Sequence, residues 1–152
     1  MGSKTITIDG DRSCLHFTGK VSGAAARIDL DTGATNQFMS ERFARKNGLA
    51  VQPASRTVAL ADGKAVRVIG ICRARVKIGP LTDVVTFYVL PLNAVYDVLL
   101  GEEWLTKRQA ILNFRENSLT VQLTKDAANG SGSSVTIAAS SAVGGSPSGG
   151  EE

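Results

Sequence analysis

The clearest pattern along the chain is the alternation Cys72-Arg73-Ala74-Arg75-Val76-Lys77-Ile78, in which apolar and cationic side chains take turns. A period of two places the apolar members on one face of a strand and the cations on the other. Gly79-Pro80 ends this strand (71–78), and a second apolar stretch, 81–90, follows it. Upstream, 15–18 and 27–30 read as two strands linked through Gly19-Lys20-Val21-Ser22-Gly23. Segments 57–61 and 65–69 flank Asp62-Gly63-Lys64. Asp-Gly between strands signals a hairpin, because both central positions of the favoured turn need positive φ. Residues 95–100 form a further apolar strand, and 110–114 with 119–123 form a last hairpin around Arg115-Glu116-Asn117-Ser118.

Two stretches depart from this period and read as short helices. Ser40 is placed to cap the first, Glu41 suits its positive end, Arg45 and Lys46 suit its negative end, and Gly48 stops it. Phe43 is its apolar anchor. The second follows Gly101, with Glu102 and Glu103 in its first turn, Trp104 and Leu105 as core anchors, and Lys107 and Arg108 at its end. The expected fold is mainly β with two short helices. Residues 1–12 read as a loose leader and 13–124 as one folded domain. Residues 125–152 read as a disordered Gly/Ser-rich tail, too poor in apolar side chains to order itself.

Composition narrows the function classes. The 152 residues suffice for one domain with length to spare. No apolar run approaches the roughly 20 residues of a membrane helix, so no membrane partner is expected. The start Met1-Gly2-Ser3-Lys4 is polar with no secretion-signal core behind it, and Ile6 stands where N-myristoylation needs Ser or Thr. Cys14 and Cys72 are too few for a disulfide framework, and reduced thiols in an intracellular setting are expected. The net charge of +3 and the face formed by Arg73, Arg75 and Lys77 would suit nucleic acid. No aromatic platform is interleaved with them, so a solvated outer face is expected and nucleic acid is not an expected partner.

The chemistry reduces to carboxylates. His16 is the single histidine and alternates with Leu15 and Phe17, so it is expected to face solvent. It supplies no Ser-His-Asp system, and with two distant cysteines it makes no metal cluster. No metal or cofactor is expected, and no Gly-x-x-x-x-Gly-Lys phosphate cradle is present. Asp31-Thr32-Gly33 occurs once, where the strand 27–30 breaks into a turn. It offers a carboxylate, a hydroxyl and a permissive glycine. Attack of water on an amide needs both a base and an acid, and one carboxylate cannot be both. Two carboxylates sharing one proton can.

Around that turn, further blocks follow in a specific order. They are Asp31-Thr32-Gly33-Ala34-Thr35, Phe38-Met39-Ser40, Asn47-Gly48-Leu49 and the tip Ala61-Asp62-Gly63-Lys64. Then come Phe87-Tyr88-Val89-Leu90-Pro91-Leu92, Tyr96-Asp97-Val98-Leu99-Leu100-Gly101 with Trp104-Leu105, and Leu112-Asn113-Phe114 before Leu119-Thr120-Val121. With these blocks, residues 27–123 resemble the protease domain of gypsy-type LTR retrotransposons, a branch of the retropepsin family. The resemblance implies a closed, retropepsin-type β-barrel, one lobe per chain, active as a homodimer. It implies an aspartic endopeptidase acting on a Gag–Pol polyprotein in the cytoplasm, within virus-like particles. Asp31 of two chains would form the dyad and hold water, Thr32 would grip the opposite chain, and Gly33 would keep the turn narrow. Ala34 and Thr35 would meet the peptide, Thr35 chiefly as a hydrogen bonder of the turn. The hairpin tipped by Ala61, Asp62, Gly63 and Lys64 would close over the peptide as a flap. Val98 with Leu99-Leu100-Gly101 would brace the turn, Val98 with some subsite contact, and Asp97 would be structural. A domesticated cellular protease of the same type, or a silent dimeric binding module, are the alternatives.

Asp29 departs from the family pattern, which carries an aliphatic residue there. Positions 29 and 31 share a strand face, so Asp29 is expected toward the cleft or its rim, making the nearby subsite less apolar. Like-charge repulsion would then move the alkaline limb of activity to higher pH. Arg27 shares the face, and a local ion pair is the plainer expectation.

Overall fold

The computed structural model describes residues 6–8, 15–91, 94–123 and 133–140. In chain order the elements are β1 (Ile6–Ile8), β2 (Leu15–Val21), β3 (Ala24–Leu30), β4 (Phe38–Ser40), α1 (Glu41–Lys46) and β5 (Gln52–Pro53). There follow β6 (Thr57–Leu60), β7 (Ala65–Arg67), β8 (Gly70–Ile78), β9 (Leu81–Leu90) and β10 (Val98–Leu100). The last are α2 (Glu102–Lys107), β11 (Ile111–Asn113), β12 (Ser118–Gln122) and β13 (Ser134–Ala138).

The alternating strands close on themselves. Their order is β2-β3-β10-β4-β9-β8, and β2 returns to β8 through Lys20↔Lys77 and Val21↔Val76, with β5 added on β8. Closure satisfies strand edges that would otherwise invite other chains. Gly19 permits it, since a Cβ there would lie 2.3 Å from the carbonyl oxygen of Lys77. Phe17, Ile28, Leu30, Phe87, Val98 and Leu100 fill the interior, while Arg73, Arg75 and Lys77 face outward as expected. A second apolar cluster, with Ala34, Phe38, Val58 and Leu99, lies on the other side of the sheet.

Both helices form where expected. The Ser40 hydroxyl accepts a hydrogen bond from the Phe43 amide at 3.1 Å, and Arg45 pairs with Glu41 one turn earlier. A cap of this kind contributes about 1 kcal/mol. Helix α2 is pinned to the barrel through Asp83 on β9. Its carboxylate accepts from Trp104 Nε1 at 2.9 Å and Arg108 Nε at 3.0 Å, while Arg108 Nη1 donates to the carbonyls of Gln122 and Leu123. Burial pushes the Asp83 carboxyl up, but these bonds and the Arg108 charge outweigh it and hold it below its ordinary value.

Several elements differ from expectation. Ser22 (φ 51°) and Gly23 (φ 85°) make a tight turn, so β2 and β3 pair through residues first read as a link. The strand expected at 95–100 contracts to β10, with Val95 left 74% exposed. The leader and tail expectations each fail in part. Ile6–Ile8 pairs with β6, and Ser134–Ala138 pairs along all of β12, with Val135 and Ile137 packed on the core. Beyond β13, Ser140 donates its amide to the His16 carbonyl and accepts from the Thr18 amide. Composition averaged over the whole tail conceals this five-residue alternation. The rest of leader and tail, together with Cys14 and Leu92, lies outside the described residues.

Candidate active site

Asp31 sits where the pairing of β3 with β10 ends. The parallel register Val98↔Ile28, Leu99↔Asp29, Leu100↔Leu30 is extended by the Asp31 amide, which donates to the Leu100 carbonyl at 3.1 Å. The turn then closes on itself. The Ala34 amide donates to the Asp31 carbonyl at 3.1 Å, and the Gly33 amide donates to Asp31 Oδ1 at 2.7 Å. A bond this short fixes the side-chain rotamer. Asp31 is 4% exposed, whereas neighbouring Thr32 is exposed.

The start of α2 braces the turn from behind. The Glu102 and Glu103 amides donate to the carbonyls of Ala34 and Thr35, at 2.7 and 3.1 Å. These amides begin a helix and have no intrahelical partner, so the turn caps α2 while α2 holds the turn. Gly101 makes the approach possible: a Cβ there would lie 2.2 Å from the Asn36 carbonyl oxygen and 2.6 Å from that of Ala34. Asp97 is structural, as expected, its carboxylate accepting from the Arg27 amide at 2.8 Å.

Below the turn lies a small group of polar side chains. Asp29 is on the Asp31 side of the sheet but is 3% exposed, and Arg27 Nε meets its Oδ1 at 2.9 Å. The plainer expectation of an ion pair therefore holds, and Asp29 does not line an open rim. Arg27 thus pairs the Asp29 carboxylate beneath the turn. Tyr96 was missed from sequence. Burial, then the charges of Asp29 and Asp31, push its phenol up to about 12, so it stays neutral beside both carboxylates. His16 is half-buried across from Asp29, contrary to the expectation of a solvent-facing ring. Burial and then Arg27 lower its pKa, against an opposing pull from Asp29.

The hairpin β6–β7 has its tip at the expected residues Ala61, Asp62, Gly63 and Lys64, all exposed, but only Gly63 (φ 88°) takes positive φ, so the tip is a four-residue loop and not the two-residue turn expected. The Lys64 amide donates to Asp62 Oδ1 and the Leu60 amide to the Lys64 carbonyl, so the tip is held by its own bonds. At its base, Arg56 Nη1 donates to the Tyr88 hydroxyl at 3.1 Å, and the guanidinium lies 5.6 Å from the ring centroid. Val98 needs correction as a subsite residue: it is wholly buried in the barrel interior, and Leu99 instead joins the cluster beside Ala34. Alternation along β10 could have signalled that choice. Thr35 is a hydrogen bonder, as expected: its Oγ1 accepts from the Thr7 amide and donates to Asn36 Oδ1.

The chain is similar to known proteins. Residues 17–107 match the family described as "gag-polyprotein putative aspartyl protease". DNA damage-inducible protein 1 of Eremothecium gossypii is 30% identical over 109 residues, 70% of this chain and 23% of that protein. Its Saccharomyces cerevisiae counterpart is 31% identical over 109 residues, again 70% of this chain and 25% of that protein. The chain thus spans a minor part of the length of either relative. The retroviral protease-like domain of Ddi1 from Leishmania major superposes with a TM-score of 0.55 at 20% identity, covering 71% of this chain and 86% of that one, a likeness of fold. By the match over residues 17–107, the chain belongs to the gag-polyprotein aspartyl protease family and carries a retropepsin-like aspartic protease domain.

Proposed function

We propose that this chain is one subunit of an aspartic endopeptidase, in which Asp31 from two copies activates a water molecule against a peptide carbonyl. The observation that carries this reading is the Asp31 carboxylate, fixed by the Gly33 amide at the end of a braced strand. In aspartic proteases two carboxylates about 3 Å apart cannot both ionise, so one serves as base toward water while the other donates to the carbonyl oxygen. A single Asp-Thr-Gly per chain requires a second copy to complete the pair. Exposed Thr32, and Ile111 (64% exposed) with Phe114 (49%) on and beside the edge strand β11, support a homodimer. In this reading the hairpin β6–β7 is the flap.

The substrate is a polypeptide. Similarity to two DNA damage-inducible proteins favours a cellular retropepsin-like protease over a Gag–Pol maturation enzyme. Cleavage of a peptide library at graded protein concentration tests the proposal. The expected results are a specific activity that falls on dilution, since the folded pair forms by mass action, and no cleavage by Asp31→Asn with its circular dichroism unchanged. Full activity in a strictly monomeric preparation would overturn it.

A further inference from the structure

Strand β1 lies between the hairpin and the catalytic turn and hydrogen-bonds to both. On one side it runs parallel to β6, in the register Ile6↔Val58, Thr7↔Ala59, Ile8↔Leu60. On the other, the Thr7 amide donates to Thr35 Oγ1 at 3.0 Å and the Thr35 amide donates to the Thr7 carbonyl at 3.1 Å. Ile6 and Ile8 are 4% and 8% exposed and pack in the cluster that holds Ala34, Phe38, Val58 and Leu99. Thr35 lies four positions after Asp31 in the same turn, and Leu99 pairs with Asp29. A cavity of about 620 Å³, lined by Ile6, Thr35, Arg56, Glu102 and others, stays open beside the strand. Of β1, Ile6 lines this cavity, with Glu102, Glu103 and Thr106 of α2 across from it.

Without β1, the edge of β6 and the backbone of Thr35 would present donors and acceptors to any extended chain laid between them. This is the geometry of peptide recognition by strand addition, in which backbone bonds give affinity and alternate side chains give selectivity. We propose that Ile6–Ile8 is a built-in occupant of the peptide groove, a pseudosubstrate strand that must leave before a substrate strand can pair with β6 and Thr35. Its side chains also define what the groove takes: an extended peptide with β-branched aliphatic residues at alternate positions and a small polar residue between them. The inference rests on the endopeptidase reading only for what happens after a peptide is bound.

Peptide binding by the full chain carrying Asp31→Asn tests this without turnover. The probe is a fluorescent peptide copying residues 4–10, with a control in which both isoleucines are aspartate. The occupied groove competes with the probe, so apparent affinity is reduced by the fraction of time the groove is open. If β1 is seated for about nine-tenths of the time, Ile6→Asp/Ile8→Asp should tighten binding about tenfold. Amide exchange at Thr35 should quicken in that variant and slow again when the probe is added, while the control peptide should do neither. Equal probe affinity in the parent and the variant, or no protection of Thr35 by the probe, would overturn the proposal. Should the double variant fail to fold, Thr7→Pro removes the amide bonded to Thr35 and leaves both isoleucines in place; it too must tighten binding. Peptide hydrolysis by the chain with Asp31 intact is read separately. Loss of that activity would sink the endopeptidase reading and leave the groove result standing.

Discussion

The Asp31 turn and the hairpin β6–β7 are held on different terms. The turn is held from every side by other parts of the chain: β10 through the Asp31 amide, α2 through the carbonyls of Ala34 and Thr35, and Gly101 by the absence of a side chain. The hairpin tip is held by its own bonds, while its base is tied down by β1 along β6, by the buried Val58 side chain and by Arg56 on Tyr88. Chemistry that depends on a carboxylate placed to within a fraction of an ångström needs the first arrangement. The proposed flap needs a tip of the second kind, which can lift without breaking buried contacts.

Substitutions can break this contrast, beginning with the support behind the turn. Asp83→Ala leaves Arg108 buried without its anion and should cost about 3–5 kcal/mol in urea unfolding at neutral pH. The fold lowers the Asp83 carboxyl from its ordinary 3.8. Its contribution is therefore complete above that value and fades as pH falls through the lower folded one, so the variant should show a flatter acid limb of stability. A variant as acid-sensitive as the parent would show that Asp83 is not the group responsible. Gly101→Ala drives a methyl onto backbone oxygens that cannot move independently of the turn. It should destabilise by about 3 kcal/mol, the upper end for overpacking, and abolish peptide hydrolysis. The smallest effect belongs to the hairpin. Arg56→Ala should change stability by no more than about 1 kcal/mol, yet quicken amide exchange along β6 and β7 with the Asp31 turn unchanged. Equal quickening in both regions would mean that they open as one unit.

What could be read from the sequence was what is decided locally. Asp62-Gly63 marked its turn, Ser40 its cap and the alternation of 72–78 its strand, because each depends on residues a few positions apart. Strand β4 has three residues and no period of its own; it is a strand because β9 and β10 flank it. The same holds for β1 and β13, hidden in segments whose average composition speaks for disorder. At the site, the Arg27–Asp29 pair followed from strand spacing alone. The placing of Val98 in the barrel interior, with Leu99 in the cluster beside Ala34, follows from which side of β10 faces the barrel, and that is set by the closure of β2 on β8.

Strand β13 has a practical consequence for anyone handling the protein. The family match stops at Lys107, and a chain trimmed soon after Gln122 would keep every residue of the Asp31 turn. It would also strip β12 of one of its two partners along five residues and uncover the apolar side chains beneath Val135 and Ile137. A bare strand edge over exposed core is a template for sticking to the next molecule. Such a shortened protein should precipitate or form sheet-paired aggregates, and its inactivity would say nothing about Asp31.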